Sequence, residues 1–132
     1  MAQNNNVKLL KVALIVSAVV AFLYGFGFFL VPGLLARLSG VNPVEWSWVR
    51  WSGGVLIALG IGSLMASSKP EKQGIFVTTM ALATLFAGLG KLYCWIMQEY
   101  SGSALSIVLP ACILLVLSGL LWWGRGQAKE IL

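Results

Sequence analysis

The sequence predicts an all-α integral membrane protein: a four-helix bundle of up-down-up-down topology with both termini cytoplasmic. Three observations carry this expectation. Four apolar runs, at 12–31, 48–66, 75–97 and 104–123, each come close to the ~20 residues that cross ~30 Å of hydrocarbon as a helix. Hydrophobic residues make up 59% of the 132 positions and charged ones 10%, more apolar surface than a domain this small has interior to hold. The basic residues are also split unevenly by side. Lys8, Lys11, Lys69, Lys72, Arg125 and Lys129 fall on one face of the membrane, and Arg37, Arg50 and Lys91 on the other. The richer side reads as the cytoplasm, with the bacterial inner membrane as the location. Residues 1–132 read as one four-span domain.

The first run is longer than the apolar core of a secretory signal and has no small-x-small cleavage site after it, so it reads as a retained helix. Residues 1–6 are polar and read as disordered. Ala13, Ser17, Ala21 and Gly25 recur every four residues along this span, which marks one side for close backbone packing where hydrocarbon supplies no hydrophobic drive between helices. The outer segment from Pro32 to Trp46 holds Leu34-Leu35-Ala36-Arg37-Leu38 between prolines 32 and 43. It reads either as a helical turn or two in the interface or as an irregular loop dipping its leucines into the headgroups.

The second span carries the same small-residue spacing at Gly54, Ala58, Gly62 and Ala66, and the third at Thr79, Ala83 and Ala87. Short connections at 69–74 and 99–103 predict that consecutive helices are antiparallel neighbours. The fourth span lacks a stripe of small residues. It has only Ala111, Cys112, Ser118 and Gly119, together with Pro110, which removes a backbone hydrogen bond to Ser106. That composition predicts a peripheral helix and the one that meets a partner. Trp46, Trp48, Trp51, Tyr93, Trp95 and Tyr100 near one membrane level, and Trp122 and Trp123 near the other, read as aromatic belts.

Ionisable groups near the bilayer are costly and mark candidate sites. Lys91 extends the small stripe of the third span, one step beyond Ala87, and so points into the bundle. Arg50 opens the second span beside Trp51, and Glu45 and Glu99 are the acids on that side. The candidate ligand-binding set is therefore Arg50, Lys91, Glu99, Glu45, Trp51 and Tyr93, with the cations paired to the acids or to backbone carbonyls at the mouth of the bundle. A site for an anionic headgroup, a quinone oxygen or a small anion is one reading of this cluster. Ion pairs that lock loops to helices are the other.

Much chemistry is set aside by what the chain lacks. It has no His, hence no His-ligated haem and no ordinary proton shuttle, and no Asp or Glu within a span. Cys94 and Cys112 lie on different helices without a Cys-x-x-Cys motif and read as free thiols. No metal site, no cofactor and no nucleic-acid partner are expected, and an enzyme is not. Gly25-Phe26-Gly27 and Gly88-Leu89-Gly90 stand at comparable depths in the first and third spans, a hint of a duplicated hairpin.

The runs Tyr24-Gly25-Phe26-Gly27 to Pro32, Leu38-Ser39-Gly40, Val49-Arg50-Trp51-Ser52-Gly53-Gly54 and Leu59-Gly60-Ile61-Gly62 resemble the small four-helix bacterial membrane proteins grouped as a family of unknown function, DoxX-like in layout. The resemblance covers nearly the whole chain. It implies an Arg after the glycine of the third span, where this chain has Gly90-Lys91, and an acid in the fourth, where Leu109-Pro110-Ala111 offers none. It supplies no reaction. The expected function is a non-catalytic accessory subunit of a larger respiratory or photosynthetic membrane complex, its partners the bilayer and other membrane subunits met through the fourth span. The alternative is a small-molecule, lipid or quinone binding or transport protein with an outer-side site around Arg50 and Lys91.

Overall fold

A computed structural model describes residues 2–40, 46–100 and 102–132, and they form a helical bundle with five helices in chain order. These are α1 (Ala2–Leu30), α2 (Pro32–Leu38), α3 (Trp46–Ser68), α4 (Gly74–Ile96) and α5 (Ala104–Gln127). Four of them are long and apolar enough to cross a bilayer, at Val7–Leu30, Ser47–Ser68, Gly74–Ile96 and Ala104–Gln127. Their outward faces carry exposed residues such as Leu23, Val55, Phe86 and Val116. A bundle whose apolar side chains point outward as well as inward is built for hydrocarbon. Helix α1 begins ahead of its apolar run, at Ala2. Over 2–6 this differs from the expectation of disorder at 1–6, of which residue 1 lies outside the described residues; extending a formed helix by another turn needs no new nucleus.

Between α1 and α3, the two ends of the outer connection are described. Pro32 starts α2 where its missing N–H has no helical partner to lose. Of the two readings of this segment, the short helix is the one found. Its last turn leads to Ser39 and Gly40, both buried, with Gly40 at φ +72° against Ser106 and Ile107 of α5.

Two helical hairpins, α1 with α3 and α4 with α5, meet along α1 and α5. Gly25 lies beside Gly53 and Ile57, and Phe22 beside Gly60, so contacts climb α1 as they descend α3. Leu10 abuts Gly124 of α5, and Ser118 donates to the Ala81 carbonyl of α4 at 2.8 Å. Gly88 of α4 lies against Ala111 and Leu115 of α5, so α4 and α5, like α1 and α3, run antiparallel. Helices α3 and α4 scarcely touch, despite the short turn that joins them. Phe76 packs on Gly62 near that turn, and beyond it the two helices follow different neighbours. The expectation that all consecutive helices are packed neighbours is corrected here: a short turn fixes where helices start, not where they go.

The fourth span is not peripheral. Helix α5 lies between α4 and α1 and buries Ile107, Ala111, Leu117, Ser118, Leu121 and Gly124. The register of α3 also differs from the stripe of small residues. Gly53 is buried against α1, whereas Ala58 is exposed and Gly54 has only the Phe29 ring, at 3.9 Å. Gly62 receives Phe76 from α4, and Ala66 joins the core. In α1 the predicted side is buried throughout, at Ala13, Ser17, Ala21 and Gly25.

The core is filled at one end of the bundle. Leu10, Leu14, Val77, Ala81, Leu117 and Leu121 interlock there, near the charged turn whose Lys72 N–H donates to the Ile131 carbonyl at 2.9 Å. The other half is less full.

Candidate functional site

Above this core, the four long helices enclose a cavity of about 360 Å³, within the range that small-ligand sites occupy. Helix α1 contributes Ser17, Ala21, Tyr24 and Phe28 to its wall, α3 Ser52, Leu56 and Leu59, and α5 Pro110, Leu114 and Leu117. Helix α4 closes it with Met80, Ala83, Ala87 and Lys91. Its open side is the gap between α3 and α4, where Ala83 and Ala87 are exposed. The small residues expected to pack α4 against a helix therefore make the wall of a cleft. The packing face of α4 is Val77, Ala81, Thr84 and Gly88, and it is turned to α5.

Hydroxyls in the wall are already engaged. Ser17 donates to the Ala13 carbonyl at 2.7 Å, Ser52 to Trp48 at 2.9 Å, and Thr84 to Met80 and Ala81 at 2.9 and 3.0 Å. Bonded back into their own helices, they present methylenes and methyls to the interior. Two groups differ. The Tyr24 side chain stacks on Phe28, with ring centroids 6.1 Å apart, and its hydroxyl has no hydrogen-bond partner among the described residues. Lys91 makes one long bond, from Nζ to the Ser39 carbonyl at 3.4 Å, which leaves two ammonium hydrogens uncommitted. The Ser39 hydroxyl beside it is buried and unpaired.

The expected outer cluster is not assembled as a unit. Arg50 is exposed, and its Nη1 donates to the Phe29 carbonyl at 2.9 Å, at the end of α1, where a cation complements the helix dipole. Trp51 is exposed and meets Trp48 edge to face, 5.9 Å between centroids. Tyr93 and Glu99 are exposed, and Glu45 lies outside the described residues. Among the described residues neither Arg50 nor Lys91 forms an ion pair, and each donates to a backbone carbonyl instead. Of the five predicted ligand residues that are described, the cavity takes Lys91 alone. Tyr24, Phe28, Ser52 and Pro110 were missed, and of these Tyr24 had a usable signal: a polar tip in the middle of an otherwise apolar run.

Cys94 and Cys112 are free thiols. No group of three or more His, Cys, Asp or Glu that could hold a metal occurs among the described residues. The site is an apolar slot with a cation and a phenol at one end. No family model, curated protein or solved structure matches the chain.

Proposed function

We propose that this chain is a non-catalytic, multi-pass membrane protein that binds a lipid-soluble small molecule in the cleft between α3 and α4. The observation that carries this reading is the cavity itself: about 360 Å³, apolar along its walls, with Lys91 the one cation among the described residues that line it, and open sideways to the region that hydrocarbon occupies. Ligand sites combine an apolar lining with a few convergent polar groups in this way. The accessory-subunit reading rests on the scarcity of catalytic groups, the short loops and a bent fourth helix free to meet a partner; α5 instead packs against both α4 and α1, so the cavity is the better guide. The excess of basic residues on the side of the termini supports a bacterial inner membrane with both ends cytoplasmic.

The test is recovery of the occupant. The protein purified in mild detergent is expected to carry a lipid-soluble molecule in stoichiometric amount by native mass spectrometry. Ala83→Phe, which places a ring in the cleft, is expected to lose it. Wild-type protein with no retained molecule, or equal retention by the variant, would overturn the proposal.

A further inference from the structure

The shape of the cavity and the charge at its end narrow the occupant. Its wall runs from Ser17 to Phe28 along α1 and from Met80 to Lys91 along α4, in each case about 16 Å of helix at 1.5 Å per residue. A slot of that length and about 360 Å³ takes one extended hydrocarbon chain along its axis, held by carbon contacts at roughly 4 Å. The pairings of Leu10 with Gly124 and of Ala81 with Ser118 put Tyr24 and Lys91 at levels less than about one helical turn apart along the bundle, near that of Pro110. Both uncommitted polar groups thus stand at the same end of the slot.

Lys91 has no acidic partner among the described residues. An uncompensated cation in this position costs several kcal/mol, and an anion brought by the ligand offsets that cost through charge-assisted hydrogen bonds. A neutral sterol-like molecule supplies no such anion, and one extended chain is enough to line the slot.

We infer that the occupant is a single-chain amphiphile with an anionic head, of the long-chain carboxylate class, its head between Lys91 and Tyr24 and its tail along the slot toward Leu59 and Leu117. This rests on the cavity being a binding site, as proposed above. Access is sideways from the bilayer through the α3–α4 gap, where Ala83 and Ala87 form a low sill. The tail keeps its hydrocarbon surroundings throughout, and only the head moves, from the lipid headgroup level to the Lys91 level.

A photoactivatable long-chain fatty acid and the matching fatty alcohol, each added to the protein in phosphatidylcholine nanodiscs, test the inference. The acid is expected to label cavity-lining residues of α3 and α4 on the order of tenfold more than the alcohol, the value of one charged hydrogen bond. Lys91→Met should abolish that preference and Lys91→Arg should keep it. Equal labelling of the cavity by acid and alcohol in the wild type would overturn the anionic head while leaving the cavity a binding site. Labelling by both probes only on lipid-facing residues such as Leu23 and Val116 would overturn the binding site itself. Should Lys91→Met fail to fold, the wild-type ratio of acid to alcohol still decides.

Discussion

Gly53 and Gly54 are adjacent in sequence, and replacing each by alanine should have opposite effects on stability. A Cβ on Gly53 would stand 2.6 Å from the Gly25 carbonyl oxygen and 2.7 Å from the Phe29 amide nitrogen. Ordinary contact begins near 3.4 Å, so α1 and α3 must separate by most of an ångström. The obstructing atoms are backbone and cannot rotate aside. Overpacking of this kind costs about 1–3 kcal/mol. At Gly54 the nearest atom is the Phe29 ring at 3.9 Å, so a methyl fits without displacement. Both substitutions gain about 0.5–1 kcal/mol of helix propensity, so the difference between them isolates the clash. Reversible unfolding in mixed detergent micelles, followed by far-UV circular dichroism, should show Gly53→Ala about 1–3 kcal/mol less stable than Gly54→Ala. Gly54→Ala itself should equal or exceed the wild type. Equal stabilities for the two variants would refute the packing register assigned to α1 and α3.

Ala81 and Ala83 offer a similar contrast on α4. Ala81 is fully buried against α5, so Ala81→Phe should fail to fold or lose more than about 3 kcal/mol, while Ala83→Phe, in the cleft, should keep wild-type stability in the same unfolding assay; a comparable loss in both would mean the cleft is closed. Thr78→Val removes the acceptor of the 2.7 Å bond from Arg125 Nε, and a loss of about 1 kcal/mol is expected, absent if water satisfies the guanidinium equally well. Arg50→Met removes the cation from the end of α1 and should lower stability by about 0.3–1 kcal/mol at low salt. A cost that does not shrink as salt is raised would argue against the dipole interaction.

The spans were legible because length and hydropathy alone mark a membrane crossing, and no tertiary information enters. Packing faces were harder, because small residues report only that something comes close. On α1 the stripe from Ala13 to Gly25 faces protein. On α3 the stripe holds at Ala66, which is in the core, but misses at its outer end, where one residue turns a helix face by about 100°, so Gly54 was marked and Gly53 does the packing. On α4 the small residues Ala83 and Ala87 border empty space, a use that leaves the same trace in sequence as close contact. On α5 the signal was present but spaced by seven, at Ala111 and Ser118, and a four-residue template passes over it. Lys91 was legible as a site residue because a cation in an apolar run is expensive. Tyr24 offered only the weaker signal of a polar tip in an apolar run, because its role depends on α1 and α4 reaching the same level of α5, which no local pattern encodes.

The near absence of contact between α3 and α4 has a consequence for biosynthesis. Every residue of the α1–α3 hairpin leaves the ribosome before α4 does, and that hairpin can close through Gly25 and Gly53 with only Gly62 and Ala66, near the turn, left for α4 to cover. Helices of a membrane protein insert first and associate afterwards, so the C-terminal hairpin can dock as a finished unit along a single seam, α1 with α5. Among the described residues, little draws α3 and α4 together beyond the five-residue turn at 69–73 and the packing of Phe76 on Gly62 beside it. The space between them is what remains when two completed halves meet along one edge, and it is present from the moment assembly ends.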